Sequence, residues 1–580
     1  MKNLVLRLLL SFILPASLPE MLFAQTTYPK DYFGSPLDIP LILSGNFGEL
    51  RPNHFHTGLD FTTHNIEGMN VKAAADGFIS RIKISAWGYG SVLYIDHPNG
   101  YTTVYAHLSR FNYSISSYTK TRQYLQESFE IELFPAPGEL PVKKGELIAF
   151  SGNTGGSGGP HLHFEIRDTR TEEAINPLLF GLPVKDDVPP VPVMLVIYPA
   201  SPNDFVNGKN NIKKIPLVRS GAKYVFANPS DSIVVSGWIG FGIEAYDRET
   251  IVRGKNGVYS VQLKRQSQTI YAHRFDRIPF DKTRFINCFV DYREWEENNK
   301  HITRSFLLPH NELEIYDTVI NGGYVDFTKA GKTTMTYLVG DVFGNTATVE
   351  FAVRSPGKKP VSANPALQKP FYQVLLWDTT NLIEETGFKL ETPSRAFYEN
   401  TVFESATLRN IAGIPTIRIG DPSVPLHREI SLTIFSEVAP ELQDKALIVE
   451  VFEKDYVIAV GGNWTGQGVT ADIKHFGTYS IRVDTTAPKI QPANFDLKGK
   501  KQENLSALSS LKFTISDNLS GIYSYRATID GKWVLAEYDP KKKLLIYTFD
   551  EHCGPGKHNI LLEVTDKKGN KTVYLKNFVR

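Results

Sequence analysis

Short runs of β-branched and aromatic residues, broken every few positions by Gly, Asn, Asp or Pro, fill this chain from Val71 to its end. Runs of that length suit strands and are too often interrupted for long helices, so the chain is predicted to be mainly β. A hairpin is expected from Ser91–Asp96 and Tyr101–Ala106, where Asn99-Gly100 supplies the positive φ of a tight turn. One helix is expected over residues 118–132, inside an unusually long connection spanning 109–141.

Sheets built from such strands are limited in size, and 580 residues far exceed the roughly 100–200 of one compact domain, so about three to five units are predicted. Proline-rich joints at 186–192 and 355–360, and Asp484-Thr485-Thr486-Ala487-Pro488, divide the chain into units at 25–185, 186–355, 361–484 and 487–580. Gly257-Val258-Tyr259-Ser260 is echoed by Gly521-Ile522-Tyr523-Ser524. The turn Asp341-Val342-Phe343-Gly344-Asn345 is echoed by Asp566-Lys567-Lys568-Gly569-Asn570. The last three units therefore read as β-sandwich modules, and their joint and turn resemble those of bacterial immunoglobulin-like domains.

Lys2 and Arg7 precede an apolar run at 8–18, and the stretch ends at Leu22-Phe23-Ala24 before Gln25, which reads as a signal peptide over 1–24. The expectation is an exported protein of the periplasm or cell envelope, with no transmembrane segment after cleavage. The 63 Lys+Arg against 62 Asp+Glu leave a net charge of +1, so no global field attracts nucleic acid, and no such partner is expected. Two cysteines, Cys288 and Cys553, exclude a disulfide scaffold and a Cys-based zinc ribbon, and they can pair or stay free. A metal site here must use histidines and carboxylates.

Histidine is unevenly placed: of 14 in the chain, His54, His56, His64, His97, His107, His161 and His163 fall within one early stretch. Read as a strand, His56-Thr57-Gly58-Leu59-Asp60-Phe61 puts His56, Gly58 and Asp60 on one face, with a glycine where a larger side chain would crowd a metal. His161-Leu162-His163-Phe164 puts both histidines on one face and the apolar pair on the other. Zinc needs three nitrogen or oxygen ligands and an open position for water. His56, Asp60 and one of His161 or His163 meet that need. The remaining histidine and His107 are then available to orient water and move protons. His54 reads as facing substrate or supporting a ligand, while His64 and His97 read as structural or solvent-facing. The glycine-rich stretch 152–159 lacks the Gly-Lys-Ser/Thr ending of a phosphate loop and runs into a strand, so it reads as cleft wall. Glu165 reads as a general base or as a support for a ligand.

Gly48-Glu49-Leu50-Arg51, His56-x-Gly58-x-Asp60, Val71 through Gly77, Tyr105-Ala106-His107-Leu108 and Gly152 through Glu165 resemble, in order, the lysostaphin/LytM-type zinc metallopeptidases of family M23. The resemblance covers roughly 47–177. It implies an antiparallel β-sheet peptidase unit with one zinc ion and a bound water. Its ligands would be His56, Asp60 and His163, with His107 and His161 as catalytic histidines. It implies hydrolysis of peptide bonds in peptidoglycan stems or cross-bridges. The competing expectations are a non-enzymatic activator or scaffold of other wall hydrolases, and a zinc peptidase with a non-wall substrate. The insert at 109–141, short in the family, is expected either to wall or cap the cleft or to be a surface excursion with no part in it. The later β modules are expected to act as spacers, to meet the wall or an envelope protein partner, or to clamp over the site.

Overall fold

The computed structural model describes residues 27–248, 254–357, 373–411, 413–495 and 503–580, and the signal-peptide reading of 1–24 lies outside them. Strands dominate throughout. In the first unit an antiparallel sheet runs in the order Leu43–Gly45, Leu59–Thr62, His161–Asp168, Tyr101–Ala106, Ser91–Asp96, Gly77–Ile84, Ile131–Leu133. Leu59, Phe61, Leu93, Ile95, Tyr105, Leu162, Phe164 and Ile166 are buried on its inner face. The predicted hairpin forms, with Asp96 opposite Thr102, and Gly100 takes a φ of 83°. His97, at its turn, is buried against the Asp76 carbonyl and Thr103 Oγ1 at 2.8 Å each, a structural role.

The helix spans Tyr113–Gln126 and not 118–132. Asn112 Oδ1 accepts the Ile115 amide at 2.9 Å, which starts the helix early, and Glu127 enters the left-handed region at φ 47°, which ends it. Beyond that point Ile131 and Leu133 alternate with Glu132, so Ile131–Leu133 joins the sheet edge against Gly77–Ile84 and buries its two apolar side chains. Among the described residues no helix is long and apolar enough to cross a membrane.

Residues 373–484 form two five-stranded sheets and one two-stranded sheet around one core that includes Leu390, Ile417, Leu432, Ile448 and Ile481. Residues 489–580 form a four-stranded and a five-stranded sheet around Leu511, Phe513, Leu545, Leu562 and Val564. Between Val191 and Pro356 a twelve-stranded sheet is built about its longest strand, Ile233–Tyr246. The echoed turns do the same job twice. Asp341 Oδ1 accepts the amides of Phe343 and Asn345, and Asn345 Nδ2 donates to Asp341 Oδ2 and to the Asp186 carbonyl. Asp566 Oδ1 accepts the amides of Lys568 and Asn570, and Asn570 Nδ2 donates to Asp566 Oδ2 and to the Asp484 carbonyl. Each asparagine thus ties a terminal turn to the joint before it.

Two packing relations were not visible in the sequence. The first sheet is extended by a strand from the second unit, since Ala174–Ile175 pairs with Arg277–Ile278. Phe275 and Phe289 pack on Phe55 with ring centroids 5.3 and 5.5 Å apart. One hydrophobic core therefore crosses the 186–192 joint. Gly48 is required there: its φ is 80°, and a Cβ would sit 2.6 Å from the Phe275 ring. The last module, meanwhile, folds back on the insert. Tyr124 stacks on His552 at 3.9 Å and donates its hydroxyl to Asp550 at 2.5 Å. The insert helix, the Asn153–Gly155 loop and the last module together line a cavity of about 610 Å³. Both cysteines are free and lie in separate cores.

Candidate active site

Antiparallel pairing sets the site. His161–Asp168 runs against Leu59–Thr62 with His163 opposite Asp60 and His161 opposite Thr62. On its other side His163 faces Ala106, the end of Tyr101–Ala106, which brings His107 alongside in a left-handed conformation at φ 59°. Alternation sends Leu162 and Phe164 into the core and leaves His161, His163 and Glu165 on the opposite face.

The strand reading of His56 needs correction. Residues 56–58 are irregular and the strand begins only at Leu59. His56 is held instead by its loop: its amide donates to the Glu49 carbonyl, its carbonyl accepts the Gly48 amide, and Nδ1 donates to the Asn46 carbonyl at 2.8 Å. Gly58 does make room, though for protein: a Cβ there would meet the Phe164 carbonyl at 2.6 Å and the His163 ring at 2.8 Å.

Three donor atoms converge. His56 Nε2 lies 3.1 Å from Asp60 Oδ1, His163 Nδ1 lies 2.9 Å from the same oxygen, and the two nitrogens are 3.0 Å apart. Ligands about 2.0–2.1 Å from a tetrahedral zinc stand roughly 3.3 Å from one another, so this triangle fits such an ion with little adjustment. A further mark is His161 Nε2, which is buried, makes no hydrogen bond, and stands 3.4 Å from Asp60 Oδ1. A buried ring nitrogen left so calls for a partner that the protein itself does not supply.

The surrounding groups fix each atom. His163 Nε2 meets Glu165 Oε1 at 2.8 Å, leaving Nδ1 for the triangle. Glu165 is fully buried and also accepts from Thr57, Tyr89 and Arg167 at 2.9, 2.5 and 2.6 Å. It is thus engaged on both oxygens as a support for His163, not free to act as a base. Arg51 Nη2 donates to Asp60 Oδ2 at 2.6 Å, turning Oδ1 toward the histidines. His107 donates Nδ1–H to the Thr154 carbonyl at 2.8 Å, and His161 does so to the Gly159 carbonyl at 2.8 Å, so each presents Nε2 to the site. The His107 ring lies 4.8 Å from that of His161 and 5.9 Å from that of His163. His54 is exposed and bonds to the Pro52 carbonyl, and His64 is exposed in a turn, so neither joins the cluster.

Electrostatics follow from burial and neighbours. Burial would raise the Asp60 carboxyl, yet His56, His161 and His163 hold it well below the usual carboxylate range. Burial would lower His163, but its bonds to Asp60 and Glu165 push it up to about 9. Burial, reinforced by His163 and His161, pushes His107 down to about 3, which keeps it neutral with a lone pair on Nε2. A pH dependence follows for the metal-free protein. A histidine raised above its unfolded value contributes stability that is complete below about 6.5 and lost as pH rises through about 9. The melting temperature of metal-free protein should therefore fall between pH 7 and 9.5, and zinc should remove most of that fall. Calorimetry with and without chelator measures it.

Asn46 and Arg51, which bond to His56 and Asp60, and Thr57 and Tyr89, which bond to Glu165, carry no role in the sequence reading. Arg51 falls in the Gly48–Arg51 motif and Tyr89 between two glycines, the available signals for each.

Residues 54–128 and 138–177 match the model of Peptidase family M23, and residues 372–484 match that of the Zu5-like domain. An uncharacterized metalloprotease of Haemophilus influenzae is 38% identical over 136 residues, 23% of this chain and 22% of that protein. The DD-carboxypeptidase/endopeptidase Mpg of Neisseria meningitidis is 36% identical over 131 residues, 23% of this chain and 24% of its own length. The chain thus spans about a quarter of the curated relatives it matches. Among solved structures, the catalytic domain of lysostaphin from Staphylococcus simulans is 25% identical, with 24% of this chain and 92% of that one covered and a TM-score of 0.19.

Proposed function

We propose, from the premise that this chain carries an M23 peptidase domain near its N-terminal end, that the protein is an exported zinc metalloendopeptidase cutting peptide bonds in peptidoglycan stems or cross-bridges. The observation that carries this reading is the triangle of His56 Nε2, Asp60 Oδ1 and His163 Nδ1, with the Nε2 atoms of His107 and His161 beside it. A Vibrio cholerae relative named as a peptidoglycan DD-endopeptidase, and the Mpg relatives named as DD-carboxypeptidase/endopeptidase, support the substrate class.

His56, Asp60 and His163 would hold the ion. When bound, zinc supplies a Lewis acid and lowers the pKa of its water toward neutrality. The protein supplies the rest. His107 and His161, each with Nδ1–H committed to a backbone carbonyl, offer Nε2 as the atom that takes a proton from the attacking water or returns one to the departing amine. Once protonated, either Nε2–H can donate to the negative charge growing on the substrate carbonyl oxygen. Glu165 and Arg51 keep His163 and Asp60 from rotating away.

The test is to incubate the full chain, without its first 24 residues, on purified peptidoglycan with and without chelator, and to identify products by mass spectrometry. New amino termini that vanish with chelator and return with zinc are expected. Intact peptidoglycan under all conditions would overturn the reading and favour a non-enzymatic role.

A further inference from the structure

One loop orients both proposed catalytic histidines. Thr154 accepts from His107 through its carbonyl, Gly159 accepts from His161 through its carbonyl, and Ser157 Oγ lies 3.2 Å from His161 Nδ1 while donating to the Gly159 carbonyl at 2.7 Å. That loop contains Gly152, Gly155, Gly156, Gly158 and Gly159, and a stretch so rich in glycine has wide backbone freedom of its own. Its placement must come from outside.

One flank is braced from within the peptidase unit. Gly155, at φ 68°, presses on Gly88 to Gly90 so closely that a Cβ would sit 2.3 Å from the Gly88 carbonyl, and Thr154 Oγ1 accepts the Ser91 amide at 3.0 Å. The other brace comes from the far end of the chain. Lys541 Nζ donates to the Asn153 carbonyl at 2.6 Å and the Ser157 carbonyl at 3.0 Å, with Asn153 Oδ1 at 3.4 Å. An ammonium has three donors, and here all three have an oxygen. The two carbonyls it joins bracket Thr154 and lie just ahead of Gly159, so one cation pins the segment that aligns both rings.

Lys541 sits in the turn between the strands Ala536–Asp539 and Leu544–Thr548. The module bearing it is docked by other contacts as well. Lys120 meets Asp550 and Glu551 at 3.0 and 2.8 Å, Arg526 meets Glu127 at 2.5 Å, and Tyr124 packs between Trp533 and His552. The lysine is therefore delivered by a seated module.

We propose that Lys541 is a positioning residue of the peptidase site, and that the last module is a working part of that site through the clamp it places on the 153–159 loop. The proposal rests on the reading of His107 and His161 as the catalytic histidines. It concerns how they are held and not which bond is cut.

The experiment compares wild type, K541M and K541R as full chains. Amide hydrogen exchange, read by mass spectrometry on metal-free and zinc-loaded protein, should show residues 152–160 exchanging about tenfold faster in K541M. Exchange in the Tyr113–Gln126 helix should be unchanged, because the module stays seated. Zinc content should be equal in all three. On peptidoglycan, K541M should lose about tenfold in kcat with KM unchanged, the scale seen when a supporting partner is removed, and K541R should recover most of it. Unchanged exchange at 152–160 would overturn the clamp. Equal loss of protection in the helix would overturn it too, since the lysine would then be only a docking residue. If wild type leaves peptidoglycan intact, the enzymatic reading fails while the exchange data still decide the clamp.

Discussion

Replacing His163 with alanine is expected to leave the protein folded but without stoichiometric zinc, and to reduce peptidoglycan cleavage to the level seen with chelator. The reason is geometric. His163 Nδ1 lies within 3.0 Å of both His56 Nε2 and Asp60 Oδ1, so its loss leaves two donors where zinc needs three from the protein. It also strands Glu165, a fully buried carboxylate that loses one of its four donors but keeps Thr57, Tyr89 and Arg167. The fold should therefore persist. Zinc at a hundred times its Kd stabilises a single-site protein by about 2.7 kcal/mol, and that increment should be present in wild type and absent from H163A. Metal analysis after dialysis and thermal melts with added zinc measure both. A variant that keeps one zinc per chain would remove His163 from the ligand set.

His107→Ala is expected to separate binding from chemistry. His107 touches none of the three donor atoms through a hydrogen bond; its Nδ1 is occupied by Thr154 and its neutral Nε2 faces the cluster. Zinc content should stay at one per chain while kcat falls by about a hundred- to a thousandfold, the usual cost of losing one proton-transfer or oxyanion group. KM should change little, because the role proposed for the ring is toward charge that develops only during the reaction. Paired titration of zinc and steady-state kinetics on a soluble muropeptide test this. An unimpaired rate would remove His107 from the mechanism.

Much of the site was legible because strand alternation is a strict rule. His161-Leu162-His163-Phe164 could be read as two histidines on one face from spacing alone, and the register with Asp60 bears that out. His56 was harder, since it reaches Asp60 from an irregular stretch whose shape depends on Asn46 and Glu49. Which ring nitrogen serves the triangle could not be read either, because the Asn46 carbonyl decides it for His56 and the Glu165 carboxylate for His163. The helix bounds slipped for a local reason, the cap at Asn112 and the left-handed Glu127. Proline-rich joints say nothing of how the chain packs across them. Nothing in the neighbourhood of Phe275 or Lys541 announces that one belongs to the core of the first unit and the other to the histidine loop, because such contacts depend on residues hundreds of positions apart.

The shared core has a consequence in time. Synthesis proceeds from the N-terminus, and domains tend to fold as their residues emerge. Here the sheet that holds Asp60 and His163 lacks its Arg277–Ile278 edge, and the loop that holds His56 lacks the Phe275 ring against Gly48, until roughly a hundred further residues follow His163. Asn46, which orients His56, likewise waits for Gly257, with which it exchanges two hydrogen bonds of 2.7 and 2.9 Å. A growing chain thus carries His56, Asp60 and His163 well before it carries all the groups that align them, so a chain cut short after 177 should fail to assemble the site proposed for zinc.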